Sequence, residues 1–322
     1  MKLSDGIEQY VQRKRASGHV FEKGESNLAA FSRHVGDVHL SQVKTQQVLT
    51  YLNGSDTGAI TWRLKYQMLF RFFDFWSARG AMAELLMPPP RSRVRQTFVP
   101  YIYTRAQLRA LLKATVQNQK TIRRVDRQSL RTFILLLYGT GALVGEMLDL
   151  MHGDVNLEAG IITIRSRNFS RSRQIPIGSD LGDVLWKYIT WRSRRHFQCA
   201  NLFVTTDDLP LTSSIVSKNW QRLRQIAGVT RNDGGPYQPR LHDLKYTFAV
   251  HRITSWIRNG ADLNRMLPAL AAYMGQVGLG STERYLYMTP ERFRKELDKL
   301  SPVRGKGRWR DNKVLMEFLA NL

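Results

Sequence analysis

A mainly α-helical chain with one small antiparallel β-sheet, divided into two domains, is what this sequence predicts. Apolar residues recur at helical spacing through most of the 322 residues. Strand-like alternation is confined to one segment, GIITIRSRNFSRSRQIPI from Gly160 to Ile177. A proline- and arginine-rich interruption, MPPPRSRVRQ from Met87 to Gln96, separates a shorter part from a longer one. Hydrophobic residues make up 43%, with 7 Trp and 14 Phe, enough to fill a core in each part.

The first helices fall around Ile7 to Arg15, Glu25 to His34 and Gln42 to Leu52, with Gly or Asn at their ends. A fourth, from about Ala59 to Arg79, repeats Leu64, Met68, Phe72 and Trp76 every four positions with Arg63, Lys65, Arg71 and Arg79 between them. One face should therefore be buried and another cationic. Residues 1–86 are read as a small four-helix domain, 87–100 as a semi-rigid basic linker and 101–322 as a larger domain. Thr104 and Gln107 have capping-box spacing and start a helix with Leu108, Leu111 and Leu112 inside. SLRTFILLLYGTG is apolar nearly all round, so this second helix should be central. The clearest strands are Ile161 to Arg165 and Arg173 to Ile177, joined by a basic turn. At the C-terminus Val314, Leu315, Phe318, Leu319 and Leu322 form one helical stripe, too apolar to float free and expected to pack, most simply on its own domain.

Charge narrows the partner. Lys and Arg number 49 against 26 Asp and Glu, a net +23, which points to a polyanion. Up to Gln96 there are 14 basic and 8 acidic residues, leaving 35 and 18 beyond it, so both domains are basic. Nucleic acid is the first candidate. An anionic membrane is the rival, but no apolar run approaches the roughly 20 residues of a spanning helix, FILLLYGTGALV being interrupted by Gly139 and Gly141. MKLSDGIEQYVQRKR lacks a secretory h-region. A cytoplasmic protein, nucleoid-associated in a bacterium and without a membrane partner, is the expectation. A single cysteine, Cys199, excludes an internal disulfide and a cysteine metal cluster. The seven His have no ligand spacing and no Walker loop occurs, so neither metal nor cofactor is expected.

Four boxes then bring in a resemblance. YGTGALVGEMLDL from Tyr138, the hairpin ending RQIPI, RLHDLKYTFA from Arg240 and YMGQVGLGSTERYLYMTPE from Tyr273 follow one another in the order and at the spacings of the tyrosine recombinase, or phage integrase, family. Residues 100–295 resemble that family. The resemblance implies a helical N-terminal core-DNA-binding domain and a tyrosine-recombinase-type α+β catalytic domain with a C-terminal docking helix. It also implies double-stranded DNA held in a clamp, and assembly on it as a homo-oligomer or with a related recombinase.

In that family a tyrosine hydroxyl attacks a DNA phosphodiester, forming a 3′-phosphotyrosine and releasing a 5′ hydroxyl. Negative charge gathers on the non-bridging oxygens, which calls for preorganised cations and donors. The resemblance puts Tyr285 at the nucleophile and His242 at the first His of the His-x-x-Arg box. Lys245 stands at that box's Arg, keeping the charge but losing the planar fork. Other positions depart from the pattern. Leu143 aligns with the family's first Arg while Gly141 and Glu146 stay in place, Asn168 with the leaving-group Lys, and Gln276 with the His of the Leu-Gly-His motif. Tyr246 stands where the family often has another His.

Loss of one oxyanion donor typically costs about 10² to 10³ in rate. A DNA-binding protein of this family, with strand cleavage impaired or absent and an accessory or regulatory role in recombination or integration, is therefore the leading expectation. The alternatives are an active recombinase working through Tyr285, with Arg240, Arg252, Arg284 or the hairpin arginines in the vacant roles, and a non-enzymatic DNA-architectural or membrane-surface protein. Expected DNA contacts are Arg91, Arg93 and Arg95 in the linker, Arg165, Arg167, Arg171 and Arg173 on one face of the hairpin, and Arg240. The RRVDR and WRSRR segments, near Arg123 and Arg192, either add to these contacts or are ordinary solvated faces.

Overall fold

A computed structural model describes residues 1–18, 21–54, 57–82, 87–91, 99–117, 122–165, 172–276, 282, 285, 286 and 288. The chain divides into two compact units, one spanning Met1–Phe98 and the other beginning at Val99. The stripe at 314–322 lies outside the described residues.

The first unit holds α1 (Leu3–Ala16), α2 (Glu22–Val35), α3 (Thr45–Leu52) and α4 (Ala59–Ser77). A 3-10 turn at Leu40–Gln42 precedes α3, so that helix starts later than the apolar pattern suggests. The core joins Leu3, Leu28 and Phe31 to rings from α4, with Tyr10 and Phe72 edge to face at 5.4 Å. The inward stripe of α4 differs from the expected one. Leu64 is 60% exposed, and the buried residues are Trp62, Leu69, Phe72, Phe73 and Trp76. Aromatic rings bury more apolar area than a leucine, so the helix turns to bring four of them inside and leaves Leu64 in water.

The second unit is built around α6 (Arg127–Thr140), flanked by α5 (Arg105–Gln117), α8 (Ser179–Ser193) and α10 (Asp243–Arg258). The expected capping box forms: Thr104 Oγ1 accepts from the Gln107 amide at 3.1 Å, and Gln107 Oε1 accepts from the Thr104 amide at 2.9 Å. α6 is buried on most sides, through Leu130, Phe133, Ile134, Leu136 and Leu137, as its continuous apolar sequence requires. The short α7 (Val144–Leu148) follows it, then the sheet, then α9 (Ser213–Ile226) and α11 (Leu263–Tyr273).

The antiparallel sheet runs β1 (Val155–Asn156), β2 (Ile161–Arg165), β3 (Ser172–Pro176), in that order. β1 is two residues long, too short for an alternating pattern, and it pairs with Ile161 and Ile162. Among the described residues no helix is long and apolar enough to cross a membrane.

Candidate active site

The residues singled out in the sequence boxes converge on the α6–α7 turn, the start of α10 and the end of α11. α6 stops at Gly141, whose φ of 62° is left-handed. A Cβ there would lie 2.4 Å from the Phe248 ring of α10, so glycine is what permits both the turn and the close approach. Leu143 follows as the residue before α7, 38% exposed, its side chain offering no hydrogen bond. Its backbone N–H donates to Glu146 Oε2 at 2.8 Å.

Glu146 is occupied further. Arg173 reaches it from β3 with two parallel bonds, Nη1 to Oε1 at 2.8 Å and Nη2 to Oε2 at 3.0 Å, the side chains being 17% and 11% exposed. Burial alone would raise the Glu146 pKa. The hydrogen bonds from Arg173 and the Leu143 amide, with the charges of Arg173 and Lys245, outweigh it and hold the carboxyl below its ordinary value. Arg173, grouped with Arg165 in the sequence reading, thus sits in a different setting from it. Arg165 pairs with Ser172 and Ile164 with Arg173, so in the antiparallel register the two arginines lie on opposite faces. Arg173 shares its face with Ile175, which is 1% exposed, and is drawn inward.

The end of α11 gathers the other parts. Gly275, at φ 67°, ends the helix in the left-handed region. The amide of Gln276 donates to Ala271 O and that of Gly275 to Ala272 O, the paired bonds of a Schellman motif. The next two carbonyls take cations: Arg173 Nε donates to Tyr273 O at 3.1 Å and Lys245 Nζ to Met274 O at 3.3 Å. Positive charge is favourable at a helix C-terminus, where backbone carbonyls lack helical partners. A Cβ on Gly275 would meet Arg173 Nη1 at 2.5 Å, so the guanidinium lies directly on this turn.

Lys245 sits one turn into α10. Burial lowers its pKa most, Glu146 opposes this and Arg173 adds to it, with the result near 8. His242 precedes α10. Desolvation of its ring and the charges of Lys245 and Arg240 push its pKa down against the opposing pull of Asp243, which favours the neutral imidazole at neutral pH. Its ring lies 6.2 Å from that of Tyr246, which lies 5.6 Å from that of Tyr285. Tyr285 is 3% exposed, packed with Phe248, Leu267, Leu270 and Met274 in the α10–α11 core. Its Oη accepts from Gln276 Nε2 at 2.6 Å, while Gln276 Oε1 accepts from Thr282 Oγ1 at 2.6 Å. The structure thus gathers Lys245, Arg173 and Gln276 at one helix end, with Glu146 on Arg173, Tyr285 on Gln276, and His242 reaching Tyr285 through the ring of Tyr246.

The remaining candidates are dispersed. Arg165 is 68% exposed and paired with the buried Asp154 at 2.6 Å. Arg240 bonds Asp243 Oδ1 at 3.0 Å across the start of α10 and stays 42% exposed. In the first unit, Arg91 donates to Asn53 Oδ1 at 2.7 Å and stacks on Trp62, its Cζ 4.8 Å from the ring centroid. Arg93, Arg95, Arg167, Asn168 and Arg171 lie outside the described residues. Arg192, in a segment read as a DNA contact or a solvated face, is 7% exposed, and its guanidinium caps the carbonyls of Cys199 and Asn201. Among the described residues no cluster of His, Cys, Asp and Glu could hold a metal ion.

Sequence reasoning missed the roles of Glu146 and Thr282. Glu146 stands three residues after Leu143, the spacing at which a carboxylate bonds back to an N-cap amide, and that signal was readable. Nothing local marks Thr282, because its partner is an amide six residues upstream.

Residues 103–292 match the sequence pattern of the phage integrase family. The integrase/recombinase-type protein y4rE of Sinorhizobium fredii is 26% identical over 287 residues, covering 88% of this chain and 91% of its own. Tyrosine recombinase XerA of Thermococcus kodakarensis is 25% identical, covering 92% and 95%. Among solved structures, a lambda integrase dimer bound to a COC′ core site superimposes with a TM-score of 0.60 at 19% identity, covering 87% of this chain and 96% of that one. That likeness is one of fold.

Proposed function

The chain belongs to the phage integrase family, and from that premise we propose that it binds double-stranded DNA in site-specific recombination or integration with its strand-cleavage step impaired, in an accessory or regulatory role beside a competent recombinase. The observation that carries the impairment is the pairing at Glu146. Position 143 offers an alkyl side chain where a forked cation is called for, and the guanidinium that shares the Glu146 carboxylate with its backbone, that of Arg173, spends both Nη groups on that carboxylate. Lys245 adds to the deficit, since it lacks the fork and rests on a helix carbonyl.

DNA as the partner is supported by the net +23 and by solved relatives described as bound to DNA, among them a lambda integrase tetramer on a Holliday junction. Those complexes, a dimer and a tetramer, also favour assembly of this chain on its site, with copies of itself or with a related recombinase. Residues 1–86 act as the core-DNA-binding domain, 87–100 as the linker and 101–322 as the catalytic-type domain. Within this reading Tyr285 is the inherited nucleophile, and His242 and Lys245 are the groups facing the scissile phosphate. Arg165, with Arg167 and Arg171, contacts the DNA backbone.

A second reading, an active enzyme forming a 3′-phosphotyrosine through Tyr285, is favoured by the cluster of Arg173 and Lys245 on the turn that also holds Gln276. A nicked suicide duplex carrying the recombination site separates the two. Under the first reading the protein retards the duplex yet yields little or no tyrosine-linked DNA while an active relative yields a full band. A robust adduct mapped to Tyr285 overturns the impairment and establishes the second.

A further inference from the structure

We propose that Thr282 is a positioning residue for Tyr285, acting through the amide of Gln276; this rests on Tyr285 being the strand-cleaving nucleophile. The chain of contacts runs from the helix end to the phenol. The Schellman bond to Ala271 O fixes the Gln276 backbone. Its side-chain amide bridges two hydroxyls, and Thr282 holds the end that Tyr285 does not. Thr282 Oγ1 donates to Oε1 at 2.6 Å, so Nε2 is directed at Tyr285 Oη, also at 2.6 Å.

Both ends are out of water, with Thr282 1% and Tyr285 3% exposed. Without the Thr282 hydroxyl one end of that amide would be left unpaired out of water, and burial makes such a loss costly. Thr282 and Tyr285 are both helical and three positions apart, about one turn. The hydroxyl that orients the amide therefore travels with the tyrosine it serves. An amide does not titrate, so this hold persists at pH values where an imidazole in the same position would exchange a donor for an acceptor. Gln276 is thus more than a missing histidine: it grips the nucleophile, and Thr282 sets the grip.

Nitration with tetranitromethane, mapped by peptide mass spectrometry on the full chain, reads the hold without requiring catalysis. Tyr103 and Tyr188, both 0% exposed, serve as internal controls. Thr282→Val is expected to raise nitration of Tyr285 about tenfold, the equivalent of one hydrogen bond, with both controls still protected. Thr282→Ser, which keeps the hydroxyl, should restore protection. Tyr285 remaining as protected in Thr282→Val as in the parent overturns the proposal. Where Thr282→Val exposes all three tyrosines together, Gln276→Met, which keeps the side-chain length, decides by the same criterion.

The suicide duplex adds a second readout. Thr282→Val should lower any adduct yield at unchanged DNA binding, with recovery in Thr282→Ser. An adduct mapped to another tyrosine overturns the assignment of Tyr285 and this role with it. Selective nitration with no adduct from any variant supports the positioning role and the impaired-cleavage reading together.

Discussion

Arg173 and Lys245 share a helix end but differ in what they commit to it. Arg173 gives three donors to protein acceptors, two of them to a carboxylate that is 11% exposed. Replacing it with alanine strands Glu146 as a buried charge, and breaking such pairs costs about 3 kcal/mol or more. Arg173→Ala should lose that much in urea unfolding, and Arg173→Lys should recover only part, because an ammonium cannot match both oxygens. Lys245 makes a prediction in pH. Its folded pKa, near 8, lies below the 10.5 of an ordinary lysine, so the unfolded chain binds the proton more tightly. Below about pH 8 both states hold the proton and its contribution is flat; between 8 and 10.5 stability should rise with pH. Lys245→Met should remove that rise when unfolding free energies are measured from pH 7.5 to 10. Any phosphate-directed charge at this position should fade above pH 8, which Lys245→Arg would prevent.

At the scale of elements, the end of α11 is the most constrained feature. A side chain on Gly275 combines a left-handed backbone with a 2.5 Å approach to Arg173. Gly275→Ala should therefore destabilise by about 2 kcal/mol, read in the same unfolding assay, because strain and displacement of the guanidinium add. The helices themselves were legible: Thr104 and Gln107 announce α5, and the unbroken apolar run of α6 announces a central position. What was not legible depends on register between elements. Whether Arg173 faces water or the core turns on Arg165 pairing with Ser172 rather than with Arg173, a one-residue matter that composition cannot settle. The inward face of α4 shows the same limit, since periodicity marks Leu64 as readily as Trp62 and only packing chooses. Of the candidate site, the family resemblance pointed to Tyr285, His242, Lys245 and Gln276, whereas Thr282 bonds an amide six residues away and Glu146 pairs with Arg173 across 27 residues, contacts with no local mark.

For the molecule as a whole, charge and catalysis should separate. DNA affinity should fall at least about a hundredfold between roughly 50 and 200 mM salt, as expected when several phosphates release counterions. Tyr285→Phe should bind within about twofold of the parent, because the phenol oxygen adds no cation to the footprint; filter binding across a salt series checks both. A loss of specific binding in Tyr285→Phe with folding intact would mean that the buried core of α10 and α11 shapes the DNA surface. The occupied carboxylate of Glu146 also bears on what position 143 could accept. An arginine introduced at position 143 would meet a carboxylate already shared by Arg173 and the backbone of that same position, so Leu143→Arg alone gains less than it would beside a free carboxylate. Two guanidinium groups would then compete for one buried acceptor, so this corner of the fold resists a lone change at its rim.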